Sequence, residues 1–106
     1  MKRIVIICQN APGGKRRLAE EAFRLAAGLS STGRFQMDFV LLQGGLLLLE
    51  PDFTGPASSW ESLLSPHTKV WVPAGTPRLI AGIPLHPLSD QDPRHLTQGA
   101  DLVLRF

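Results

Sequence analysis

A single cysteine stands in the 106 residues, at position 8. An internal disulfide is therefore impossible, and nothing points to an oxidising compartment. Long apolar runs are missing too: the longest, residues 4–8 and 46–49, fall far short of a membrane span. The first of them is also too short for a secretory leader and lacks a small-residue cleavage site, so a cytoplasmic address is expected. No block of like charge appears. The formal net charge of +2 sits mainly at Lys2, Arg3, Lys15, Arg16 and Arg17. So mild an excess reads as a solvated face, and no direct nucleic-acid binding is expected. Aromatic residues are few and spread out. Trp60, Trp71, Phe35, Phe39, Phe53 and Phe106 make no base-stacking platform and read as core or subunit contacts.

With 43% hydrophobic and 19% charged residues, the chain has the make-up of globular material rather than of a disordered segment. Its length allows one domain, spanning 1–106, around one core. Ile4-Val5-Ile6-Ile7-Cys8 is apolar at every position, as in a central strand of a parallel sheet covered on both sides. After a Pro-Gly-Gly turn, Leu18, Ala22, Leu25, Ala26 and Leu29 recur at helical spacing. Arg17, Glu20, Glu21 and Arg24 fill the opposite face, with Glu20 and Arg24 as a favourable i,i+4 pair, and Gly33 stops the helix.

Residues 37–42 read as a second strand, broken by Gln43-Gly44-Gly45, and periodicity leaves the type of 46–49 open. A capping box, Ser58 to Glu61, predicts a short helix through Leu64. Residues 69–72 read as a third strand, Thr76-Pro77 as the start of a helix to about Ala81, and 83–85 as a brief extended piece. Asp92-Pro93 repeats the cap-and-proline device, Gly99 ends that helix, and 101–106 is a strand. The alternation predicts right-handed crossovers and a small three-layer α/β/α sandwich with a mainly parallel sheet of four to five strands.

The turn Ala11-Pro12-Gly13-Gly14-Lys15 invites comparison with a phosphate loop. The GxxxxGK[ST] pattern fails at both ends, because Gln9 stands where the first glycine belongs and Arg16 where the hydroxyl belongs. A weaker anion site, made of backbone N–H groups with Lys15, Arg16 and Arg17, stays open beside the plainer reading of a flexible turn. Cys8 ends a strand near basic residues, yet its neighbours Ile6 and Ile7 argue for burial rather than reactivity. His86, Asp90, Asp92 and His95 crowd one window without metal-ligand spacing. Asp92 reads there as a helix cap, and Pro84, Pro87 and Pro93 make the segment a rigid loop, so no metal is expected. A Ser-His-Asp triad has no GxSxG elbow to anchor it.

The opening, Met1-Lys2-Arg3-Ile4 with Asn10-Ala11-Pro12-Gly13-Gly14, resembles that of the DsrE/DsrF-like sulfur-relay family, most nearly its DsrF and TusC branch. Asp101-Leu102-Val103-Leu104-Arg105-Phe106 is similar to that branch's C-terminal strand, and Leu41-Leu42-Gln43-Gly44-Gly45 to the family's strand and glycine turn. Lys69-Val70-Trp71-Val72 with Leu79-Ile80-Ala81-Gly82-Ile83 resembles the DsrH and TusB branch as well. The resemblance implies small α/β domains assembled as homo- or hetero-oligomers, commonly trimers or hexamers. Some members pass persulfide sulfur from protein to protein, toward tRNA thiolation or in sulfur oxidation. It implies a carrier cysteine just after the third strand, where a helix N-terminus favours the thiolate. The matching stretch here, Val72-Pro73-Ala74-Gly75-Thr76-Pro77-Arg78, has none, and Thr76 reads as a helix cap in that place.

The sequence thus predicts a subunit without catalysis of its own and without a cofactor, which oligomerises with itself or with related subunits in a sulfur-relay complex. Its expected pocket is formed by Asn10, Gly13 and Gly14 together with Ala74, Gly75, Thr76 and Arg78, at strand C-terminal ends where such folds bind ligands. Two alternatives stay open: a carrier that uses Cys8, and a phosphate-binding module at Gly13-Gly14-Lys15. Independently of kinship, Leu46-Leu47-Leu48-Leu49 beside Phe53 and Trp60 is more apolar material than one small core easily hides, which also argues for an oligomer.

Overall fold

Alternate side chains of the first strand serve two different cores, which is why it is apolar from Ile4 to Cys8. The computed structural model describes residues 1–50, 63, 65–76, 84–89 and 92–106. Its strands are β1 (Lys2–Cys8), β2 (Phe35–Leu41), β3 (Thr68–Pro73), β4 (Leu85–Leu88) and β5 (Leu102–Arg105). They form one sheet in the order β4-β3-β2-β1-β5, and every neighbouring pair is parallel. Ile4, Ile6 and Cys8 join Met37, Phe39, Leu41, Val70 and Val72 beneath helix α1 (Leu18–Ser31). Val5 and Ile7 join Val40 and Leu88 on the other face, where Leu96 of helix α2 (Asp92–Gln98) and Ala100 close over them. Helices on both faces make the three layers expected from the sequence.

Helix α1 packs closely because its inner face is mostly alanine: Ala19, Ala22, Ala26 and Ala27 are buried around Phe23. Phe23 meets Phe39 edge-on, with ring centroids 6.4 Å apart, and its burial is worth roughly 2–3 kcal/mol. Near the helix end, Ser30 and Thr68 hydroxyls share a hydrogen bond of 2.6 Å. That bond fixes α1 against the start of β3.

Three local expectations change. Residues 46–49 belong to a 3₁₀ helix, Gln43–Leu49, and Leu48 and Leu49 are fully buried, with Leu47 alone largely exposed. The core absorbs most of that leucine run, so it supplies little of the surplus apolar surface expected of it; Phe53 and Trp60 lie outside the described residues. The segment read as a rigid proline loop contains β4. Leu88 accepts a hydrogen bond from the Ala74 N–H at 3.3 Å, so the nitrogen of Pro87, one residue earlier, faces away from β3 and costs the ladder nothing. Finally, Glu20 does not pair with Arg24. Arg24 lies 3.9 Å from Glu21 instead, and Glu20 turns inward. The predicted helices beginning at Ser58 and at Thr76-Pro77 fall outside the described residues, apart from Thr76 and from Leu63, which is buried in the α1-side core.

Candidate functional site

Three turns leave the carboxyl ends of β1, β2 and β3, and they hold most of the expected pocket. After β1 the chain is pinned by Gln9, whose N–H donates to Phe106 at 2.8 Å. It then reverses through Gly13 at φ +90 and enters α1 through Arg17 at φ +50, without a side-chain cap. Glycine suits the first of these left-handed positions, whereas arginine holds the second at a cost of about 1 kcal/mol or more. Asn10, Ala11, Gly14, Lys15, Arg16 and Arg17 line a shallow depression of about 220 Å³ here.

The amide that would greet an anion at this turn already has a carboxylate. Gly13 donates its N–H to Glu20 Oε2 at 2.9 Å, and Arg17 Nε lies 3.8 Å from the same oxygen. A phosphate bound there must displace Glu20. The other carboxylate oxygen, Oε1, is buried and has no hydrogen-bond partner. Sequence spacing placed Glu20 on the outer face of α1; nothing local signalled that it would reach back to the turn.

Cys8 lies beside this turn and is 0% exposed. Its Sγ is 3.6 Å from the Asn10 carbonyl oxygen. Burial pushes the thiol up from its ordinary value of 9.0, hydrogen bonding from the Asn10 backbone pulls it back, and the Glu20 carboxylate adds to the rise. These are the surroundings of an inert thiol, not of a nucleophile. The β2 turn seals it. A Cβ on Gly45 would fall inside the Cys8 carbonyl and lie 3.2 Å from Sγ, and one on Gly44 would lie 2.7 Å from the Ala11 nitrogen. The glycine pair, read from sequence only as a strand breaker, is there because two backbones touch.

The β3 turn carries the second half of the expected pocket. Gly75 takes φ +88, and Thr76 bonds back to the Pro73 carbonyl through both its N–H at 3.2 Å and its hydroxyl at 2.7 Å. Ala74 and Gly75 are exposed. Arg78 lies outside the described residues. β2 stands between β1 and β3, so Asn10, Gly13 and Gly14 are on the same end of the sheet as Ala74, Gly75 and Thr76 but two strands away, roughly 10 Å.

The opposite face holds a polar network the sequence reading missed. Asp38, 4% exposed, accepts from Trp71 Nε1 at 2.8 Å and from Arg3 at 3.3 Å. Arg3 also donates to the Leu96 carbonyl at 3.1 Å, so the network ties β1, β2 and β3 to α2. Trp71 lies against His86 at 5.3 Å, with Lys69 Nζ 6.0 Å from its ring. A lone carboxylate in the apolar run Met37-Asp38-Phe39-Val40 was the available signal, because a buried charge demands partners. Among the described residues no three His, Cys, Asp or Glu side chains come together to hold a metal. No helix of the described residues is long and apolar enough to cross a membrane.

A labelling experiment tests the thiol's surroundings. Small alkylating reagents are expected to leave Cys8 untouched in the folded protein at pH 8 and to modify it fully once denaturant is added. Because the folded thiol titrates above its unfolded value, its contribution to stability is complete below pH 9 and declines as pH rises beyond it. Cys8→Ala should remove that part of the alkaline loss. Rapid modification of the folded chain contradicts this assignment.

No protein-family model matches the chain, and no curated protein matches its sequence. Among solved structures it is similar to the YchN protein of E. coli, with a TM-score of 0.77 and 19% identity, 100% of each chain being covered. What this likeness establishes is the fold: an α/β sandwich built as YchN is.

Proposed function

We propose that this chain is a non-catalytic subunit of a sulfur-relay assembly of the DsrE/DsrF-like type. One observation carries the reading: the turn after β3, where the resembled family places its carrier cysteine, here presents Ala74 and Gly75, open to solvent, and a half-buried Thr76, without a thiol. The chain's one cysteine is sealed beneath Gly45 at the end of a different strand. The fold likeness to YchN supports the architecture on which this reading depends. A subunit of this kind contributes shape and contacts, and the sulfur travels on a partner of related fold.

Intact-mass measurement after exposure to a cysteine desulfurase and cysteine tests the first half of the reading. No added sulfur is expected on this chain. Affinity recovery of the tagged chain tests the second half, the expected companion being a small α/β protein with an exposed cysteine that does load persulfide. One sulfur gained here and lost in Cys8→Ser would mean that this chain is itself a carrier. The burial of Cys8 and the seat of Glu20 favour neither the Cys8 carrier nor the phosphate module.

A further inference from the structure

β5 lies at the edge of the described sheet, and no described strand pairs with its outer side. Phe106 donates to Ile7 and accepts from Gln9, both at 2.8 Å. Residues 102, 104 and 106 therefore turn their backbone groups toward β1, and the alternating residues, Val103 and Arg105, turn theirs outward. Natural sheets guard such edges with short strands, charged side chains, proline, bulges or a covering element. The other edge follows that rule, since Pro87 occupies an outward position of β4 and offers no donor. β5 is short and ends on one charge, Arg105, but it has neither proline nor bulge, and its register with β1 runs unbroken from Leu102 to Arg105. Leu102 is 47% exposed on it.

We propose that β5 pairs antiparallel with β5 of a second copy of this chain, about a two-fold axis at Leu104, joining two sheets into one. The strand is self-complementary in that register, which is what a two-fold contact requires. Val103 exchanges both backbone hydrogen bonds with the partner's Arg105, and Arg105 does the same with the partner's Val103. On the α1 side, Leu104 meets the partner's Leu104 and Leu102 meets the partner's Phe106, which makes a continuous apolar row. On the α2 side, the arginine stem lies over the partner's Val103. One-residue shifts break this match, turning inward-facing backbone groups to the contact. So small an interface makes a concentration-dependent dimer rather than a permanent one.

Sedimentation equilibrium of the full chain, from micromolar to sub-millimolar, is expected to show two-fold association. Val103→Pro removes an outward N–H without removing a backbone bond to β1, and Leu102→Lys charges the apolar row. Each should weaken association at least about tenfold, and Leu102→Lys should leave the melting temperature nearly unchanged. Under mild oxidation, Leu104→Cys should cross-link to its own copy. Leu102→Cys, although more exposed, should not, because the two positions sit roughly 14 Å apart in this register. The native Cys8 is buried and does not interfere. A monomer throughout overturns the proposal, and so does association that both variants leave intact with no Leu104 cross-link.

Discussion

Gly45→Ala is expected to destabilise the fold by about 3 kcal/mol, read as a fall in the urea midpoint with an unchanged slope. The added methyl has nowhere to go. Its carbon would sit within the Cys8 carbonyl oxygen and 2.8 Å from the carbonyl carbon, so the obstruction is backbone at the buried end of β1 rather than the tip of a flexible side chain. Relief requires the β2 turn to lift from β1. That would strain the hydrogen bond from the Leu42 N–H to the same Cys8 carbonyl, 3.0 Å long. Gly44→Ala meets the Ala11 nitrogen at 2.7 Å, but on an exposed turn that can give, and about 1–2 kcal/mol is expected. Gly28→Ala, in mid-helix with nothing within 4 Å, should move the other way and gain up to about 1 kcal/mol. If all three substitutions cost alike, the close approach at Cys8 is not what holds these turns together.

Asp38→Ala is the second large effect, about 2–4 kcal/mol, or roughly 10 °C or more in melting temperature. Removing the carboxylate leaves the Trp71 indole N–H without its acceptor and takes from Arg3 Nη2 one of its two. The full penalty for a broken buried pair is reduced because the Arg3 side chain is 29% exposed and keeps the Leu96 carbonyl. Asp38→Asn preserves an acceptor for Trp71 but puts an amide NH2 where Oδ2 accepts from Arg3. The charge and the Arg3 bond are then lost while the indole bond stays, and about half the effect is expected. Measured in a Trp60→Phe background, Trp71 emission should shift in Asp38→Ala and much less in Asp38→Asn. Equal losses in the two variants would mean that packing, not the hydrogen bonds, is what Asp38 supplies.

The sheet was legible because its signals are local. Five apolar residues in a row at Ile4–Cys8 read as a strand covered on both faces, and the apolar spacing marked α1 as a helix. Its buried face, however, is turned from the expected leucines onto Ala19, Ala22, Phe23, Ala26 and Ala27, leaving Leu18, Leu25 and Leu29 half-buried. β4 was less so, because two prolines in 84–87 outweigh a four-residue strand until its place at the edge is known. At the site, the individual turns could be read but not their company. Whether Glu20 points out or back to Gly13 depends on a reversal seven residues upstream. That Gly45 touches Cys8 depends on a contact between segments 37 residues apart, for which glycine is the only trace. Asp38 carried a signal that the reading passed over, since a charge amid buried residues announces that partners exist even where it cannot name them.

The Arg3 amide bonds to the Asp101 carboxylate across 98 positions of sequence. In time, rather than in space, this makes β1 the slowest strand to be completed. β2 can reach it after one helix, but β5 arrives only when the intervening chain has found its course, and pairings of long separation set the pace of folding. Through that interval β1, apolar on both faces, keeps one edge open. The strand best protected in the finished molecule is the one most exposed to aggregation while the molecule is being made.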